Sequence, residues 1–238
     1  MNPTSPHPAL PASHRLVWED DFRSPSVNPD NWVYRTDSKL WSTQTADNVD
    51  ISDGQLRLQY RKERKNGMDY TGGGLISRRA FGYGFFEARL RMPAGMGWHT
   101  SFWLMTHDGS GSTNTDTTAM EIDICEQDSI LPESYYVSVH RWKGEHLCKS
   151  ERIHTENLSL AFHRFACLHE PGRVVFYADE RVMHEVDTTD MFSEVAHMHI
   201  WLTGIACNLS DTPRVDDNAL PSEARFDWVR VYQPKMST

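Results

Sequence analysis

The chain has 238 residues and a formal charge of −9 at neutral pH. Its acids and bases are scattered, so no basic stripe is offered to a phosphate backbone, and nucleic acid is excluded as an expected partner. No apolar run approaches the ~18 residues needed to cross a bilayer, so no membrane partner is expected either. A chain of this length buries one sizeable core, which points to a single soluble domain and a monomer.

Residues 1–14, rich in Pro, Ser and His and without an apolar signal core, read as a loosely ordered lead-in, leaving 15–238 as the domain. The ordered part begins at "HRLVWEDDF". Asp53-Gly54 then makes a turn signal before "QLRLQY", in which Leu56, Leu58 and Tyr60 alternate with polar residues. "FFEARLRM" sets Phe86, Ala88, Leu90 and Met92 against Phe85, Glu87, Arg89 and Arg91, the period of a strand with one wet face. "WHTSFWLM", "YYVSVHRW", "RFACLHE", "RVVFYADERVMHEV", "HMHIWLTGI" and "ARFDWVRVYQ" continue the series, rich in β-branched and aromatic residues. Only short helical turns are expected, as near Thr188 to Glu194. Many strands without helices between them imply two packed antiparallel sheets or a closed barrel.

Eight tryptophans exceed what a sandwich core needs, since the indole N–H wants a partner, so some should line a groove. Trp98, Trp142 and Trp201 fit either platform or core; Trp18, Trp32 and Trp228 look structural. Cys125, Cys148, Cys167 and Cys207 share no CxxC spacing, which argues against structural zinc. Buried free thiols are the simpler account, with a disulfide among the last three left open. His197 and His199 lie two apart on a strand, but no third metal ligand is evident nearby.

The Ser/Thr/Gly loop "HDGSGSTNTDTT" delivers the chain into "MEIDICEQD", which sets Glu121, Asp123 and Glu126 in an apolar ladder. On a helix the three acids would fan over a wide arc. On a regular strand Glu121 and Asp123 share a face while Glu126 has the wrong parity. One extra residue at Ile124 or Cys125, a β-bulge, returns Glu126 to the face of its predecessors. Three acids so gathered repel one another, and at least one should hold its proton near neutral pH. Two carboxyls about 5 to 5.5 Å apart suit a retaining glycosidase, and Asp123 between them could hydrogen-bond to the nucleophile.

"EIDICE" resembles the Glu-x-Asp-x-x-Glu signature of glycoside hydrolase family 16 (laminarinases, agarases, porphyranases, carrageenases) in its bulge-containing form. "VWEDDF", "NVDISDGQLRL", "GLISRRAFGYGFFEARLRMP", "SFWLM", "FHRFACLHEPGRVVFYADERV" and "RFDWVRVYQ" extend the resemblance over roughly Leu16 to Gln233. It implies an all-β, concanavalin-like β-jelly-roll sandwich of two antiparallel sheets, with an open cleft on the concave sheet. By position, it implies that Glu121 is the nucleophile, Asp123 the assisting acid and Glu126 the acid/base. His140 would be a cleft histidine, Trp103 an aromatic floor and Asn48 a polar sugar contact. Trp98, Trp142 and Arg78 are further candidates for substrate binding, Arg78 (with Arg79) toward anionic groups such as sulfate, with surface salt bridging the blander alternative.

Two departures stand out. His99, Thr100 and Ser101 replace a common Trp-Pro-Ala, and Gly72-Gly73-Gly74 stands near where many members carry a substrate-binding arginine. Both weaken a β-1,3-glucan expectation and leave algal or other β-galactans in contention, so the substrate type stays β-1,3-glucan or β-galactan. No cofactor is implied for catalysis, but a structural calcium is, held by Asp227 with backbone oxygens near Glu19 and Gly54. The function implied is a retaining, endo-acting hydrolase of a secreted or extracytoplasmic kind acting on a β-linked polysaccharide. The alternatives are a transglycosylase or a catalytically silent carbohydrate-binding protein on the same fold.

Overall fold

The computed structural model describes residues 7–109, 119–142, 144–192 and 195–235. In chain order the strands are β1 (His14–Asp20), β2 (Trp32–Tyr34), β3 (Ser38–Lys39), β4 (Ser42–Gln44), β5 (Val49–Ser52), β6 (Gln55–Tyr60), β7 (Tyr70–Phe81), β8 (Gly84–Arg91) and β9 (Trp98–Met105). They continue with β10 (Met120–Asp128), β11 (Ser134–Arg141), β12 (Leu147–His154), β13 (His163–Glu170), β14 (Arg173–Ala178), β15 (Arg181–Asp187), β16 (Met198–Ala206) and β17 (Ser222–Pro234). One sheet runs β15-β14-β13-β8-β17-β6-β5 with β1 beside β17; the other runs β12-β11-β10-β9-β16-β7-β4-β3 with β2 beside β7. The pairing is antiparallel except between β4 and β7, which run parallel. The sandwich is therefore as expected, apart from that one pair. The expected helical turn near Thr188 is a single turn, closed by the Met191 and Phe192 N–H groups on the Thr188 carbonyl; residues 193 and 194 lie outside those described.

Alternation decides what lies between the sheets. Leu58, Phe86, Ala88, Leu90, Val229 and Val231 from the outer sheet meet Phe102, Leu104, Ile122, Val137, Val139 and Leu202 from the inner one in a single apolar cluster. The residues that alternate with these on the inner sheet's strands therefore project onto its free face, where the site lies.

Two expectations change here. The odd face of β8 is not wet: Phe85 and Glu87 are fully buried. Phe85 packs with Tyr177 and Tyr232, and Arg164 bonds Glu87 through Nε at 2.7 Å and again through Nη2. The lead-in is not loose from His7 onward, because the His7 ring packs 5.1 Å from Phe85 and 5.3 Å from Tyr177, and Ala9 and Leu10 join the same outer cluster. A second apolar face on the outer sheet needed a cover, and this segment supplies part of it.

Candidate active site

The site is built on β10, near the middle of the inner sheet. Against β9, Glu121 pairs with Met105 and Asp123 with Trp103; the register then slips, so that Glu126 pairs with Ser101 and Asp128 with His99. Against β11, Glu121, Asp123 and Glu126 pair with His140, Ser138 and Tyr136. The partners step by two on both sides while the acids step by two and then three. The extra residue is the expected bulge: Ile124 and Cys125 both turn into the core, and Glu126 rejoins Glu121 and Asp123 on the free face.

The three carboxyls sit in unequal surroundings. The Asp123 side chain is 1% exposed and that of Glu126 27%. Burial, with the charges of Glu126 and Glu121, holds Asp123 well above the usual carboxylate range, and among the described residues neither of its oxygens has a hydrogen-bond partner. These surroundings favour the protonated, neutral form of Asp123. Burial and the Glu126 charge push Glu121 up to about 7, opposed by the Trp142 indole, whose Nε1 donates to Oε2 at 3.1 Å, and by Lys39. His140 Nε2 lies 3.2 Å from Asp123 Oδ2 and 4.0 Å from Glu121 Oε1. Burial lowers its pKa, and its Nδ1 is 2.9 Å from His146 Nε2. The Trp142 and His146 rings stack at 4.0 Å, bracing the indole that holds Glu121.

Beside the acids lies an aromatic floor. Trp103 and Trp201 lie 4.7 Å apart, the Trp103 Nε1 donating to Thr203 Oγ1 at 2.9 Å and the Trp201 Nε1 to the His107 carbonyl at 3.0 Å. Ile76, Met105 and Ala119 complete an apolar patch with them. Gly109, at φ +77°, lets the loop after β9 close on this patch, since a Cβ there would stand 2.4 Å from Ile76 Cδ1. The rest of the Ser/Thr/Gly loop, residues 110–118, lies outside those described.

Of the expected substrate contacts, Trp103, His140 and Trp142 gather around the acids; Trp98, Asn48 and Arg78 do not. Trp98 is five residues from Trp103 on one strand, so it faces the core, fully buried beside Tyr60 at 4.7 Å. Asn48 is completely buried, its amide donating to Thr71 Oγ1 at 2.8 Å. Arg78 is fixed at the entry to β2, its Nε donating to the Pro29 carbonyl at 2.6 Å.

The expected calcium site would take the Asp227 carboxylate with backbone oxygens near Glu19 and Gly54. Its one side-chain ligand already faces a cation, since Asp227 Oδ2 accepts from Arg89 Nη1 at 2.6 Å, while the Glu19 side chain accepts from Arg230 Nε at 2.6 Å. Gly54, at φ +68°, closes the β5–β6 turn near Arg23. Neither Asp227 nor Glu19 belongs to a group of ligand atoms close enough to share an ion among the described residues. The same holds for His197 and His199, the latter bonded through Nδ1 to the Ser77 carbonyl at 2.6 Å. All four cysteines are free, Cys148 exposed and the others buried.

Two features escaped the sequence. Arg35, just beyond β2, crosses the free face: its guanidinium lies 5.4 Å from the Trp201 ring and Nη1 donates to Thr203 Oγ1 at 3.1 Å. Nε and Nη2 are taken by Asp37 at 2.6 and 2.8 Å. A Cβ on Gly74 would stand 3.1 Å from the Arg35 Cβ, so the glycine run makes room for an arginine arriving from another strand. The other is His99, whose Nδ1 lies 2.8 Å from Asp128 Oδ1 and whose Nε2 lies 3.1 Å from Glu126 Oε1. Three consecutive glycines on a strand, and the matched parity of Glu126 and Asp128 after the bulge, were the available signals.

A two-sheet β-jelly roll presenting two outer carboxyls and a buried neutral one beside an indole floor is the framework of a carbohydrate-cleaving hydrolase. A family model described as beta-porphyranase A-D, GH16 domain, matches residues 17–234. The chain belongs to glycoside hydrolase family 16 and is an O-glycosyl hydrolase. It is 25% identical over 242 residues to a beta-glucanase of Rhodothermus marinus, covering 92% of this chain and 85% of that one. It is 27% identical to the endo-1,3-1,4-beta-glycanase EglC of Rhizobium meliloti, covering 80% of this chain and 40% of that protein. The fold is shared with LamAcat of Zobellia galactanivorans, at TM-score 0.81 and 24% identity over 92% of this chain and 97% of that one. No helix among the described residues is long and apolar enough to cross a membrane.

Proposed function

We propose that the chain is a retaining endo-β-glycosidase that cuts a β-linked polysaccharide by double displacement. The observation that carries this is the bulge in β10, which brings Glu121 and Glu126 to one face with neutral Asp123 between them. The Trp142 N–H favours the ionised form of Glu121, as a nucleophile requires. Glu121 attacks the anomeric carbon as Glu126 gives its proton to the departing sugar oxygen. Glu126, now a carboxylate, takes a proton from water as the water oxygen bonds to that carbon and the ester to Glu121 breaks. Asp123, uncharged, removes one negative charge from a crowded face and lets the other two alternate.

A β-galactan of the porphyran type is the preferred substrate class, supported by the family model over nearly the whole chain. The Trp103–Trp201 floor offers an apolar surface to a sugar face, and Arg35, ion-paired to Asp37, lies beside it. A β-glucan is the second reading, favoured by the relatives named as glucanases. Such polymers are too large to enter a cell, which supports a secreted site of action. Reducing-end release is to be scored on porphyran, agarose, carrageenan, laminarin and lichenan, with Glu121→Gln as control. Release by the parent and none by the variant supports the reading; binding without release by either leaves a carbohydrate-binding protein.

A further inference from the structure

We propose that His99, anchored by Asp128, is a positioning residue for the acid/base: its imidazolium holds Oε1 of Glu126 and eases the return of that carboxyl to its ionised form. This rests on the role assigned to Glu126 above. Asp128 pairs directly with His99 across the β9–β10 ladder, and Glu126 is the next residue of β10 on the same face. With both ring nitrogens protonated, Nδ1–H donates to Asp128 Oδ1 at 2.8 Å and Nε2–H to Glu126 Oε1 at 3.1 Å. Asp128 is itself fixed, since Ser210 Oγ donates to its Oδ2 at 2.5 Å from the turn after β16, where Ser210 stands at φ +51°. The result is a chain of four side chains, Ser210, Asp128, His99 and Glu126, running from an edge of the free face to the reacting carboxyl.

The charged surroundings favour a cation at His99. From β10 it faces Glu126 and Asp128; from β16 its paired neighbour is Ile205, which is apolar; from the turn beyond, Cys207 Sγ lies 4.0 Å from Asp128 Oδ1. Burial opposes the charge, but the bonds to Asp128 and Glu126 outweigh it and hold His99 up at about 10. Glu126 in turn feels Glu121, Asp123, His140 and Cys148, with Tyr136 paired beside it on β11 and Arg152 one strand further on β12. In the second half of the cycle Glu121 is bound as an ester and carries no charge, so the imidazolium of His99 is the cation left at Glu126 Oε1 as that carboxyl acts as a base. His99 supplies that cation and occupies one oxygen, leaving Oε2 for the proton that is exchanged.

The test uses His99→Gln, which retains an amide donor but no charge, assayed on porphyran, laminarin and their dinitrophenyl disaccharide glycosides. The expected result is an alkaline limb of kcat/KM on polysaccharide displaced upward by about 1 to 2 pH units. On the dinitrophenyl glycoside, whose leaving group needs no acid, kcat and KM fall together by at least ~10-fold, leaving kcat/KM nearly unchanged. Azide, which needs no base, restores turnover as glycosyl azide. Asp128→Asn, of the same shape, shifts the limb the same way by less, and keeps the test available if His99→Gln does not fold. Glu126→Ala with azide is the control: no azide recovery there removes the assignment of Glu126 itself. Recovery in Glu126→Ala, together with an unmoved limb and no azide response in the two variants, overturns the role of His99 alone.

Discussion

Replacing Trp142 by Phe isolates one hydrogen bond at the nucleophile. The ring that stacks on His146 is kept, while the Nε1–H donated to Glu121 Oε2 at 3.1 Å is lost. A hydrogen bond to a charged group contributes about 1.5–3 kcal/mol, or about 1–2 pKa units. Because the bond stabilises the ionised form, its removal raises the pKa of Glu121 above its present value of about 7. The acid limb of kcat/KM, which belongs to the acids as a coupled set, then moves upward by at least ~1 pH unit. Near pH 6 the ionised fraction falls about tenfold, and near pH 9 hardly at all. Reducing-end release measured between about pH 5 and pH 10 reads both limbs. A loss of equal size at every pH, with the acid limb in place, would refute the role given to this N–H.

Three further outcomes follow from the same contacts. Glu87→Ala removes one of the carboxylates that Arg164 bonds, with Glu180 still on Nη1 at 2.9 Å, and thermal unfolding should show a loss of about 1–3 kcal/mol. His99, raised from 6.5 to about 10 in the fold, contributes stability that is complete below pH 6.5 and is lost as pH rises through 10. The Tm should therefore decline over that window, and less so in His99→Gln. Thiol labelling of the native protein should modify Cys148 alone, with Cys125, Cys167 and Cys207 reacting only after unfolding, as read by peptide mass.

The acids were legible because a strand has a strict period of two: Glu126 sits at the wrong parity, and only an extra residue repairs it. The same arithmetic places Trp98 in the core, five residues from Trp103, where counting aromatics alone suggests a platform. Arg35 was not legible, since its place depends on β2 lying beside β7 and on the missing side chain of Gly74, neither of which is local. His99 and Asp128 required the post-bulge register on two strands at once. The buried second face of β8 depends on Arg164 and on a segment near the chain's start, so its alternating pattern described a wet strand that the tertiary fold covers.

The two residues between Asp123 and Glu126 in β10 also make the enzyme sensitive to a change that composition scarcely registers. Deleting Ile124 and Cys125 together would leave every acid in the sequence, yet regular pairing past Asp123 would send Glu126 inward and bring Gln127 outward. The indole floor formed by Trp103 and Trp201 would survive such a loss. A hydrolase and a silent sugar-binding surface thus stand two codons apart on this scaffold, with chemistry the first property to be forfeited.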